Sequence, residues 1–119
     1  MRMRFTAPLF LGLLMTAQAA NSAQAASFNC RRASTPDEIA ICQTPQLSEL
    51  DSVMAMFYRS LRRYTRRYNN AMGLQGQLKN GARAFLARRA ACGANIPCLT
   101  SVYKERIQEL LANWSQALE

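Results

Sequence analysis

Four cysteines, Cys30, Cys42, Cys92 and Cys98, fall in two short-range couples behind an amino-terminal segment laid out like an export signal. In an oxidising compartment such couples close covalent loops, which limits a short chain to folds whose elements meet at the cysteines. The segment opens with Arg2 and Arg4, runs through apolar residues from Phe5 to Met15, and turns into small residues and amides. That is the order of a Sec-type signal peptide. Ala17-Gln18-Ala19 and Ala23-Gln24-Ala25 both satisfy the small-x-small rule, so cleavage is expected after Ala19 or after Ala25. The second is favoured because the composition changes at Phe28 and Cys30. The apolar run is shorter than the roughly 20 residues that span a bilayer. No cysteine follows it closely enough to accept a lipid, and Arg2-Met3-Arg4 is not a twin-arginine signal. Residues 1–25 are therefore read as a signal peptide and 26–119 as one domain. The expected product is periplasmic or secreted, with no transmembrane segment after cleavage.

A domain of about 95 residues buries only a modest core, so cross-links would matter to it. Four cysteines permit three connectivities, and pairing within each couple, Cys30–Cys42 and Cys92–Cys98, is the most economical. The first bridge would fasten an extended amino terminus onto a short helix. The second would lock the turn between the last two helices. Zinc sites usually place cysteines about two to four residues apart or beside histidine. A redox centre would want Cys-x-x-Cys. Neither spacing occurs, and the chain has no histidine. Structural disulfides are expected, with no metal and no cofactor.

The remaining pattern is helical. Thr35, Pro36 and Glu38 form a cap, a first-turn proline and a capping box, opening a short helix to about Gln43. Thr44-Pro45 repeats the signal. A longer helix follows with its seam at Leu47, Leu50, Met54, Phe57, Leu61, Tyr64 and Tyr68, spaced by threes and fours. It should end near Asn69-Asn70, with Gly73 and Gly76 beyond. Leu78, Ala82, Phe85, Leu86 and Cys92 carry a third helix, its start obscured by Gly81 and its end marked by Gly93 as a left-handed cap. After the turn at Gly93 to Pro97, a fourth helix is marked by Leu99, Val102, Tyr103, Ile107, Leu110, Leu111 and Trp114. The expectation is an all-α bundle of one short helix and three longer antiparallel ones, stapled by two disulfides, and a monomer.

Taken together, Phe28, Cys30, Ala33, Thr35, Glu38, Ile41-Cys42, Leu47, Leu50-Asp51 and Tyr58 resemble the opening of the lysozyme inhibitor LprI-like N-terminal domain family. Leu86, Arg89, Ala91-Cys92-Gly93, Cys98-Leu99, Tyr103, Arg106-Ile107 and Leu110 resemble its second half. The resemblance covers the whole domain except the stretch from about Asn69 to Lys79. It implies an exported all-helical domain with these cysteines bridged, in a family named for a mycobacterial lipoprotein that inhibits lysozyme. This chain departs from the pattern in three ways. Phe85 stands where tryptophan is usual, Ala90 where an acid would offer Arg89 an ion pair, and there is no lipid-accepting cysteine.

Without Arg2 and Arg4, thirteen basic residues face seven acidic ones, a net charge of +6 (13 − 7). Five of the arginines, Arg59, Arg62, Arg63, Arg66 and Arg67, recur on the second helix at steps of three and one. At about 100° per residue they gather opposite its apolar seam. The pairs 59/63, 62/66 and 63/67 set like charges one turn apart, together about 1 kcal/mol against the helix. Acidic residues such as Glu105 and Glu109 on the last helix would offset this if packing brought them near. Otherwise an anionic ligand would, and the guanidinium fork suits phosphate and carboxylate. No acid-base constellation is present. Asp37-Glu38 is accounted for by the helix dipole, and Glu105 with Glu109 by a polar helix face. A non-enzymatic binding protein is therefore expected. The resemblance implies a periplasmic inhibitor of lysozyme or another peptidoglycan hydrolase, although a +6 chain and a basic lysozyme would repel each other. The arginine face alternatively implies an envelope module for anionic lipid, lipopolysaccharide or an acidic protein. Nucleic acid has the right charge but belongs to the wrong compartment.

Overall fold

The computed structural model describes residues 26–68 and 72–119; the expected signal peptide and Asn69-Asn70 lie outside the described residues. A single 3₁₀ turn at Cys30–Arg32 leads into α1 (Pro36–Gln43), α2 (Pro45–Arg67), α3 (Met72–Cys92) and α4 (Ile96–Leu118). The described residues contain no strand.

Prolines open three of these helices. Pro36, Pro45 and Pro97 sit in first turns, where the missing N–H costs nothing. The expected cap at Thr35 takes a different form. Its hydroxyl makes no cap hydrogen bond, and the Glu38 carboxylate accepts instead from the Ser34 N–H at 3.0 Å. Asn95 caps α4 through its side chain, which accepts from the Cys98 N–H at 2.9 Å. Gly93 adopts φ 56°, the left-handed conformation that ends α3.

The α3 helix begins at Met72, well before the point its sequence suggested. Leu74 and Leu78, one turn apart, are 5% and 1% exposed, and this buried pair carries the helix through Gly73 and Gly76. Tertiary burial here overrides weak local propensity. Gly81 serves packing. A Cβ at this position would lie 2.6 Å from Nη1 of Arg106, so the glycine leaves room for a guanidinium crossing from α4.

Helices α2 and α4 run parallel, with α3 antiparallel to both, as the cross-links between them require. The Tyr103 hydroxyl donates to Asp51 at one end of the α2/α4 pair, and the Tyr64 hydroxyl donates to the Ala117 carbonyl at the other. Ile41, Leu47, Leu61, Leu78, Phe85, Leu99, Tyr103 and Leu110 form the core. Phe85 meets Tyr103 edge-on at 5.2 Å, so phenylalanine fills its place in the core. The apolar seams differ in part from those the spacing predicts. Leu86, Leu111 and Tyr68 are about half exposed, whereas Ser48, Asp51, Thr65 and Arg106 are buried. Tyr68 follows the last turn of α2 and rests on Tyr64 at 4.5 Å.

Both disulfides form within their couples, Cys30–Cys42 and Cys92–Cys98, and no described cysteine is free. They sit at the end of the bundle where α1 and the α3–α4 turn meet. Closing the longer loop contributes about 3 kcal/mol by the chain-entropy estimate.

Candidate functional site

Eight of the arginines divide into two sets. In the first, each guanidinium is built into the fold. Arg89 on α3 reaches Asp37 on α1 at 2.7 Å and Glu38 at 4.0 Å, and lies over the Phe28 ring at 5.6 Å. Ala90 therefore does not leave Arg89 without a partner: the acid comes from α1. Asp37, assigned from its position to the helix dipole, is 3% exposed and is half of this ion pair. Burial raises its pKa, but hydrogen bonds from Thr35 and Arg89 and the guanidinium's attraction outweigh it, leaving the carboxyl below its ordinary value. Burial likewise opposes the charge on Arg89, and Asp37 with the Tyr103 phenol more than restores it. Tyr103 is pushed up, chiefly by burial and then by Asp51, whose other oxygen accepts from the Ser27 N–H at 2.6 Å. One polar chain thus ties the amino-terminal segment, α1, α2, α3 and α4 together.

Arg106 is the most deeply buried cation, at 1% exposure. Its Nη1 donates to Glu109 at 3.2 Å, while Nε and Nη2 have no hydrogen-bond partner among the described residues. Glu109 also accepts from Arg88 at 3.0 Å.

The second set is the face foreseen on α2. Arg59, Arg62, Arg63, Arg66 and Arg67 are all exposed, and among the described residues none lies within ion-pair distance of a carboxylate. Glu109, expected to offset them, is taken by Arg88 and Arg106; Glu105 is exposed and pairs with none of the five. Arg59 donates to the Ser27 carbonyl at 3.4 Å. Arg59, Arg62, Arg63 and Arg66 together line a shallow depression of about 240 Å³, and Arg67 stands outside it.

Beside this face, α2 and α3 enclose a cleft of about 400 Å³ lined by Tyr58, Arg62, Arg66, Gln75, Leu78 and Lys79. The Tyr58 ring has two cations close to it, with the guanidinium of Arg62 at 5.7 Å and that of Arg106 at 5.8 Å from its centroid. Gln75 is held by donating to the Thr65 carbonyl at 2.8 Å. Sequence reasoning missed Tyr58 and Lys79 as members of this site. Tyr58 was detectable as the aromatic residue one turn before Arg62. Lys79 was not, because the start of α3 was unplaced.

The arrangement offers forked and ammonium donors to an anion. Among the described residues no group of three or more acids or cysteines is placed to hold a metal ion, and no helix is long and apolar enough to cross a membrane. No family model, curated protein or solved structure matches the chain.

Proposed function

We propose that this chain is an exported, non-catalytic binding module that engages anionic groups of the cell envelope through the arginine face of α2. The observation that carries this reading is the absence, among the described residues, of any carboxylate partner for five neighbouring guanidinium groups, while the acids within reach serve Arg88, Arg89 and Arg106. The two disulfides support the exported compartment, since such bonds persist where the surroundings are oxidising. The test is co-sedimentation of the oxidised protein with anionic and with zwitterionic vesicles. Binding should be confined to the anionic ones, weaken steeply with salt, and fall when Arg62 and Arg66 are both changed to Ser. Binding indifferent to that double substitution removes the proposal.

The LprI-like resemblance supports a second reading, in which the domain occludes the cleft of a lysozyme-type peptidoglycan hydrolase. The all-helical fold and the bridged cysteines agree with what the resemblance implies. A wall-lysis assay against basic and acidic muramidases separates the two. Unchanged lysis in every case eliminates inhibition and leaves the anion-binding face standing.

A further inference from the structure

We infer that the cleft between α2 and α3 is a phosphate site, taking a phosphomonoester through Arg62, Arg66 and Lys79. This rests on the anion-binding reading and narrows it, from a charged face to one concave place and one ligand chemistry.

Three observations converge there. First, the cleft gathers cations from two helices: Arg62 and Arg66, one turn apart on α2, and Lys79 from α3. An anion between helices neutralises all three, whereas one on the outer face of α2 meets arginines of that helix alone. Second, a fourth cation lies close to the cleft. The Arg106 guanidinium is 5.8 Å from the centroid of the Tyr58 ring that lines it, fully buried, with two N–H-bearing nitrogens that have no hydrogen-bond partner among the described residues and its carboxylate shared with Arg88. A buried charge is poorly screened, so its field persists at the cleft while those of the surface arginines are damped. Third, the volume suits a compact ligand group and lies within the range of small-molecule sites, roughly 300 to 1,000 Å³.

The chemistry selects a phosphomonoester over a carboxylate. It carries nearly two negative charges and three terminal acceptor oxygens, which matches two guanidinium forks and an ammonium approaching from different helices. A lone carboxylate would leave at least one of them unanswered. The Tyr58 ring and Leu78 supply an apolar wall for whatever bears the phosphate. The source is either a phosphorylated lipid headgroup or a soluble phosphoester, and both present the same terminal group.

The test titrates the purified, oxidised protein with inorganic phosphate against chloride at matched ionic strength. A parallel titration uses vesicles of phosphatidylcholine with and without phosphatidic acid. Lys79→Gln and Arg62→Gln should each weaken phosphate binding roughly tenfold, the usual scale for losing one charged hydrogen bond. Arg31→Gln, the same charge change on the 3₁₀ turn at the disulfide-bridged end, should leave it within about twofold, because exposed distant charges are screened. Circular dichroism of each variant confirms the helical fold. If Lys79→Gln also releases the protein from phosphatidic acid vesicles, the ligand is a lipid headgroup; if phosphate binds and those vesicles do not, it is a soluble phosphoester. Equal losses from Lys79→Gln and Arg63→Gln overturn the cleft while leaving the arginine face intact. Failure of every anion to bind overturns both.

Discussion

Arg89 and Arg106 on one side and the arginines from Arg59 to Arg67 on the other are the same side chain in two energetic settings. The first two are buried or nearly so, and each is met by an acid from another turn or another helix. The five on α2 are exposed and meet none among the described residues. Desolvation accounts for the contrast. A buried guanidinium without a partner would cost several kcal/mol, so the fold directs its few nearby acids inward. Exposed guanidinium groups repel one another by only about 0.2–0.5 kcal/mol per pair, a cost the helix tolerates. The chain thereby keeps, among its described residues, a set of cations paired with acids and a cationic face without them on one bundle.

Breaking the neutralised side should have the largest effect. Arg89→Met strands the Asp37 carboxylate and should lower stability by about 3–5 kcal/mol in urea unfolding. Adding Asp37→Leu should recover most of that loss, because a well-packed apolar pair replaces a buried ion pair at little cost. If the single and double variants are equally unstable, the pair is not the feature that holds α1 to α3.

Next in size is Gly81→Ala. Alanine usually favours a helix over glycine by up to about 1 kcal/mol. Here its Cβ would lie 2.6 Å from Nη1 of the buried Arg106 guanidinium, so that side chain must shift. Displacing Arg106 from Glu109 should outweigh the gain, for a net loss of about 1–2 kcal/mol by thermal melting. The loss should vanish in an Arg106→Met background.

A subtler contrast lies in pH. Asp37 has its pKa lowered from 3.8, so its contribution is complete above that value and is lost as pH falls through the lower folded value. Tyr103 is raised from 10.0, so its contribution is complete below that value and fades as pH climbs above it. Stability should therefore hold level between these limits and fall outside both. Asp37→Asn should abolish the acid limb, and Tyr103→Phe the alkaline one.

The fold was largely legible because its signals are local. Prolines at first turns, the spacing of Leu47, Met54 and Leu61, and Gly93 after Cys92 each act within a few residues. The start of α3 was hidden because Leu74 and Leu78 become decisive only when α2 and α4 bury them. The polar chain from Asp37 through Arg89 and Tyr103 to Asp51 was hidden for a related reason. Asp37 and Arg89 are 52 residues apart, as are Asp51 and Tyr103, and no periodicity joins them. The arginine face was visible as a pattern on one helix. The cleft was not, because it needs Lys79 from a second helix whose register was unknown.

The most direct test of the central claim, that the α2 cations await an anion, is the melting temperature of the oxidised protein as phosphate replaces chloride at constant ionic strength. Phosphate strengthens burial in any protein, so the quantity that matters is the difference between the wild type and Arg62→Ser/Arg66→Ser. The wild type should gain the extra stability expected of a bound ligand, about 2.7 kcal/mol at a hundredfold excess over Kd, and the double variant should not. Parallel curves for the two proteins would contradict it.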